Sequence, residues 1–299
     1  MATGVANSAS NHFNSLDEHV SYMRVQRPSL PPLAYIKRDG VLPNLGGIFC
    51  PDYMSSMDEP MAKLVEQHFR ARGASFLRFD YTHTGHSVSV HDDEAAAGLP
   101  NGQDAMVVNG QHQQGSSNCS FKQWRDDLLT VVEQLTTGPQ ILVGYSMGAW
   151  LAMLAGMERP DRVKGLVLVS PAVDFSSAKL DQFFTEGFEL QEERKDEVEV
   201  FKGPAGTFYA NKRLVAILKP LEILTSFGKK IPIKCPVRML HGMKSATTGS
   251  KEVCMALCEK FETDDAELLL VKDGRHQMAR AKDLSSLKQC IDSLISYFL

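Results

Sequence analysis

No stretch of this chain is apolar for long enough to span a bilayer. Nor does it carry an excess of basic residues. Lys and Arg number 32 against 36 Asp and Glu, a formal charge of −4, and no basic stripe of the kind that tracks a phosphate backbone is visible. A polyanionic partner, nucleic acid included, is therefore not expected. The first residues, Met1 to about Tyr22, lack both the apolar run of a secretory signal and the arginines of a transit segment. Cysteine is sparse as well. Cys50, Cys119, Cys235, Cys254, Cys258 and Cys290 are scattered over 299 residues and define no disulfide framework, which points to reduced thiols in an intracellular, cytoplasmic protein. Cys254 and Cys258 lie four apart on a predicted helix, but no second pair or histidine has matching spacing, so they read as packing residues and not metal ligands.

What is present is a repeated alternation of short apolar strands and amphipathic helices. Strands are expected at Leu33 to Arg38, Gly46 to Cys50, Ala74 to Phe79, Gln140 to Val143, Gly165 to Val169, Val237 to Leu240 and Glu267 to Val271. Helices are expected at Pro60 to Arg72, from a capping box at Ser120-Phe121-Lys122-Gln123 to about Leu135, and at Met147 to Met157, Glu252 to Phe261 and Leu284 to Tyr297. This order predicts an α/β protein with a mostly parallel sheet covered by helices on both faces. Residues 1–27 read as a flexible tail, and 28–174 with 231–299 as the core. A polar stretch, 88–118, has too little apolar surface to offset its ordering entropy and reads as a disordered loop insertion. Between 175 and 230 the alternation stops, and the charged and apolar patches Glu189 to Val200 and Leu214 to Leu224 suggest a helical cap over the sheet.

The chemistry concentrates at Gly144-Tyr145-Ser146-Met147-Gly148. A serine between a strand and a helix, with glycines two before and two after, is what a nucleophile elbow of the α/β-hydrolase fold requires, because the turn is too tight for side chains at those positions. A serine hydroxyl needs a base, and in this fold a histidine late in the chain supplies it. His276 follows the last predicted strand directly and fits better than His83, His86 or His241. The oxyanion donors are expected to be the Met147 amide and an amide from the loop after the second strand, where Tyr53 is the candidate. Phe183, Phe184, Phe188, Leu214, Ile217 and Leu218 are apolar positions suited to lining an acyl pocket, with Phe184, Phe188 and Leu218 foremost.

The segments Pro51-Asp52-Tyr53, Phe79-Asp80-Tyr81 with Gly85 and Ser87, Trp124-Arg125-Asp126-Asp127, the Ser146 elbow, Cys235-Pro236-Val237-Arg238-Met239-Leu240-His241-Gly242-Met243 and Asp273-Gly274-Arg275-His276 occur in that order. Together they resemble the mitochondrial palmitoyl-protein thioesterase and acyl-glucuronide esterase subgroup of the α/β-hydrolases, and related bacterial acyl hydrolases, over about Pro28 to Leu299. The resemblance implies a serine esterase or thioesterase acting on a small-molecule or acyl-protein substrate, without metal or organic cofactor, and offers mitochondria as the alternative compartment. It leaves the oligomeric state open.

Two positions depart from the pattern of that subgroup. After His241-Gly242-Met243, where the triad acid is expected, the chain reads Lys244-Ser245-Ala246-Thr247-Thr248. In the oxyanion loop, the Pro-Gly of the subgroup is Pro51-Asp52. The acid then comes from Asp174 after the Gly165 to Val169 strand, from the weaker candidates Asp273 or Glu252, is replaced by a neutral Ser245, or is missing. Two readings follow: a serine hydrolase built on Ser146, His276 and Asp174, or a weakly active or inactive protein of this fold that binds an acyl or small apolar ligand.

Overall fold

The computed structural model describes residues 19–23, 30–42, 45–52, 55–87, 106–108, 111–113, 121–174, 189–193, 198–203, 206–211, 219–228, 230–245 and 250–299. The core strands are β1 (Ser21–Met23), β2 (Leu33–Arg38), β3 (Gly46–Cys50), β4 (Ser75–Phe79), β7 (Gln140–Tyr145), β8 (Val163–Val169), β12 (Val237–Gly242) and β13 (Ala266–Val271). They form one sheet in the order β1-β2-β4-β3-β7-β8-β12-β13. Strand β2 runs antiparallel to both of its neighbours, and every pairing from β4 onward is parallel. The helices are α1 (Pro60–Ala71), α2 (Phe121–Thr130, continued by a π-helical turn, Val131–Leu135), α3 (Met147–Glu158), α4 (Lys251–Lys260) and α5 (Ala281–Ile295).

The sheet separates two apolar layers by the two-residue period of its strands. Leu142, Leu166, Leu168, Val237 and Met239 face the layer built with α2, α3 and α4. Their sequence neighbours Ile141, Val143, Val167, Val169 and Leu240 face the other, closed by Met61, Val65 and Phe69 of α1 and Leu287, Ile291 and Leu294 of α5. Helix α3 is buried continuously from Met147 to Gly156. A helix apolar on all sides belongs inside a protein, and this burial fixes the direction in which the end of β7 is presented.

The α/β architecture agrees with the reading of the sequence, and three details differ from it. Ser21–Met23, inside the segment read as a flexible tail, adds an edge strand to β2. Within the polar insertion, β5 (Met106–Val108) and β6 (Gln111–Gln113) pair as an antiparallel hairpin, and the rest of 88–118 lies outside the described residues. Where helical patches were expected, β9 (Glu189–Glu193), β10 (Val198–Gly203) and β11 (Gly206–Asn211) form a three-stranded antiparallel sheet. Glu189-Leu190-Gln191-Glu192-Glu193 are good helix formers, but propensity is a weak prior that strand pairing overrides. The register closes tightly at Gly203 opposite Gly206. Residues 212–218, including Leu214, Ile217 and Leu218, lie outside the described residues, and Lys219–Leu221 is a short 3-10 turn.

Candidate active site

Ser146 stands at the junction of β7 and α3 with φ 53° and ψ −115°, a left-handed conformation that a non-glycine residue adopts only when its surroundings hold it there. They do so on both sides. The Ser146 amide donates to the Val169 carbonyl (2.9 Å), and its carbonyl accepts from the Ala172 amide (3.2 Å). Gly148 is required by close approach, since a β-carbon there would run into the carbonyl oxygens of Cys50 and Pro51. The elbow and the loop after β3 are therefore pressed backbone to backbone, as an oxyanion site needs.

His276 reaches the same edge of the sheet from the loop after β13. Its ring lies against Tyr145, the residue before Ser146, with centroids 5.5 Å apart. The buried Ser170 hydroxyl donates to the His276 carbonyl (2.8 Å) and ties the loop to the end of β8. The loop crosses β12 at a second glycine contact, where a β-carbon on Gly274 would come within 2.8 Å of the Gly242 Cα. Burial pushes the His276 imidazole down to about 4, so its neutral, proton-accepting form prevails at neutral pH. His241, buried one strand away, is likewise pushed down to about 4, by burial and then by the neighbouring His276.

The acid partner differs from the leading expectation. Both Asp174 carboxylate oxygens are engaged elsewhere: they accept from the amides of Ile223 (2.6 Å), Leu224 (2.7 Å) and Thr225 (3.1 Å). Asp174 thus caps the turn that returns the chain from the 175–230 insertion to the core. The Nδ1 atom of His276 faces the Ser245 hydroxyl instead, at 3.3 Å. The other candidates are also committed elsewhere. Asp273 is held by Arg280 and Lys282 on the surface, and Glu252 lies in the first turn of α4.

The Met147 amide is already hydrogen-bonded. It donates to the Asp52 carboxylate at 3.1 Å. Met147 opens helix α3, so this N–H also carries the positive end of the helix dipole, an environment that attracts an anion. Tyr53, the expected second donor, and Phe183, Phe184 and Phe188 of the expected acyl pocket lie outside the described residues.

A family model described as serine aminopeptidase, S33, matches residues 64–195. The mitochondrial palmitoyl-protein thioesterase ABHD10 of Bos taurus is 31% identical over 277 residues, covering 91% of this chain and 79% of that one. The chain belongs to this family of α/β-hydrolases. Mouse alpha/beta hydrolase domain-containing protein 10, a solved structure, is 27% identical, with a TM-score of 0.71 over 94% of this chain and 100% of that one. Est1E from Butyrivibrio proteoclasticus, solved with ferulic acid bound, shares the fold at a TM-score of 0.65 and 15% identity, over 92% of this chain and 99% of that chain. The family makes this chain a hydrolase, and the remaining shared motifs can then be sorted by what they hold.

Asp80 accepts from the amides of Met57 (2.6 Å) and His86 (2.7 Å), while Ser87 bridges the Asp80 carbonyl and the Ala34 amide, 2.8 Å from each. The indole of Trp124 donates to the Thr82 carbonyl (3.0 Å), and Asp127 accepts from the Thr82 amide (2.8 Å). The Asp80-Tyr81 and Trp124-Asp127 motifs therefore lock the loops beneath the elbow to α2. These bonds hold the loops in place. Ser170, which anchors the His276 loop, stands out in the sequence only by its place directly after a parallel strand. Among the described residues no group of three or more His, Cys, Asp or Glu could hold a metal ion, and no helix is long and apolar enough to cross a membrane.

Proposed function

We propose that the chain is a serine hydrolase of carboxylic esters or thioesters of acyl substrates. The observation that carries this reading is the strained elbow that presents Ser146 beside the His276 loop. In the reaction, Ser146 Oγ attacks the acyl carbonyl while its proton passes to His276 Nε2. The Met147 amide, with Tyr53 as the proposed second donor, receives the developing oxyanion. The protonated imidazole then passes that proton to the leaving alkoxide or thiolate. Water, deprotonated by the same histidine, cleaves the acyl-enzyme to free acid and Ser146.

In this scheme Ser245 orients the imidazole as a neutral partner, so the machinery is a dyad and its turnover is low. The names of the relatives support palmitoyl-type acyl groups, with the 175–230 insertion, Phe184, Phe188 and Leu218 among it, proposed to enclose the acyl chain. Of the two compartments read from the sequence, the same names support the mitochondrial one, which subcellular fractionation tests.

The deciding experiment is labelling by a fluorophosphonate probe beside Ser146→Ala. Labelling of the wild type alone supports the nucleophile, and equal labelling of both removes it. The alternative, a protein of this fold that binds an acyl ligand without cleaving it, draws on two observations: Ser245 stands where an acid is expected, and Asp52 sits on the Met147 amide. Absence of labelling together with binding of a fatty acid would favour it.

A further inference from the structure

We propose that Asp52 is a gating residue: its carboxylate is an internal occupant of the oxyanion subsite, and a substrate carbonyl enters only as Asp52 leaves the Met147 amide. The inference rests on the hydrolase reading above and adds what controls that site. Three features carry it. The contact itself, Met147 N–H to Asp52 at 3.1 Å, places an anionic oxygen on the one described donor expected to stabilise the oxyanion. That donor lies at the N-terminus of α3, a helix of 12 residues, where a carboxylate is held by a charge-assisted hydrogen bond and by the dipole. Third, the loop carrying Asp52 cannot drift away as a body, because the Cys50 and Pro51 carbonyls pack directly on Gly148. Release of the Met147 amide therefore falls to rotation of the Asp52 side chain.

The carboxylate in this position imitates a free acid product or the tetrahedral oxyanion. In this arrangement the carboxylate fills the position that the oxyanion would take. Glu59 lies close enough to feel this charge. Burial and then the fields of Asp52 and Asp80 push its carboxyl up to about 8, so it is protonated at neutral pH and adds no second charge beside the subsite.

The test compares wild type with Asp52→Gly, which empties the subsite, and Asp52→Asn, which keeps the shape without the charge, each with a Ser146→Ala control. Melting curves establish that the variants are folded. The second-order rate of fluorophosphonate labelling and kcat/KM on p-nitrophenyl esters are then measured. Displacing a charge-assisted hydrogen bond corresponds to about ten- to a hundredfold, so Asp52→Gly is expected to gain that much in both rates, with a smaller gain for Asp52→Asn. A residue with a merely structural role would lower both rates. If the wild type labels at Ser146 and neither variant is faster, the gating proposal is overturned while the hydrolase reading stands. If no form labels or turns over substrate, both fall together.

Discussion

Replacing Ser245 by Asp tests the architecture of the site most directly, because it restores one atom group at one place. Ser245 Oγ lies 3.3 Å from His276 Nδ1, at the outer limit of a hydrogen bond. Aspartate extends one bond beyond a serine hydroxyl, by about 1.2 Å, so a carboxylate oxygen reaches the roughly 2.7–2.9 Å of a charge-assisted contact without backbone movement. Loss of the acid from a complete triad costs about 10⁴ in turnover, and since the loop was not shaped for a carboxylate, Ser245→Asp should recover only part, about 10²–10³ in kcat. A second readout separates orientation from general effects. A carboxylate beside the imidazole raises its pKa by about one to three units, so the acid limb of kcat/KM should move from about 4 to roughly 5–7. The assay is p-nitrophenyl ester hydrolysis from about pH 4 to 8, with a melting curve at each pH. A folded variant with kcat within twofold of wild type and an unmoved acid limb would refute the placement of Ser245 as the partner of His276.

Three further outcomes are expected. Asp174→Ala should cost about 3–5 kcal/mol of stability, because it strips three backbone amides of a buried acceptor, and activity should fall only as the folded fraction does. A large loss of kcat at full stability, measured by denaturant titration, would return Asp174 to the catalytic set. Gly148→Ala should yield no stable protein, since its β-carbon meets backbone carbonyls, whereas Gly156→Ala, whose nearest contact is a Leu166 side-chain atom at 3.4 Å, should be tolerated; equal melting temperatures would contradict this. The pH dependence of stability has two arms of opposite sign. His241 and His276 lie below their usual 6.5, so the unfolded chain takes up their protons first and stability is lost as pH falls from about 6.5 to about 4. Glu59 lies above its usual 4.5, so the folded chain holds that proton longer and stability is lost as pH rises from about 4.5 to about 8. Asp80 and Asp127, raised by burial to about 6, add to this loss only up to about pH 6, so Glu59→Gln should flatten the decline between about pH 6 and 8, and an unchanged melting profile over that range would refute it.

The strands and helices of the core, the elbow and the histidine after the last strand are legible in the sequence because each depends on local chemistry. A buried parallel strand must be apolar throughout, a helix must repeat its apolar face every 3.6 residues, and a tight turn requires glycine where side chains do not fit. That is why Ser146 and His276 are found at the same edge of the sheet, although 130 residues apart in number. The partners of those residues are not local. Asp174 follows a parallel strand, as an acid in this fold can, and only the return of the chain at Ile223 to Thr225 reveals that three amides claim its carboxylate. Likewise the sequence placed a charge at Asp52 near the expected oxyanion site, but the packing of Pro51 on Gly148 decided that this charge lands on the Met147 amide. The strands between 189 and 211 escaped for the same reason: Glu and Gln favour a helix by themselves, and only a neighbouring strand makes the extended form the better one. Residue type and short-range spacing determine which groups can react. Which group touches which is set by contacts between segments far apart in the chain, where hydrogen-bond donors take the nearest acceptor the fold supplies.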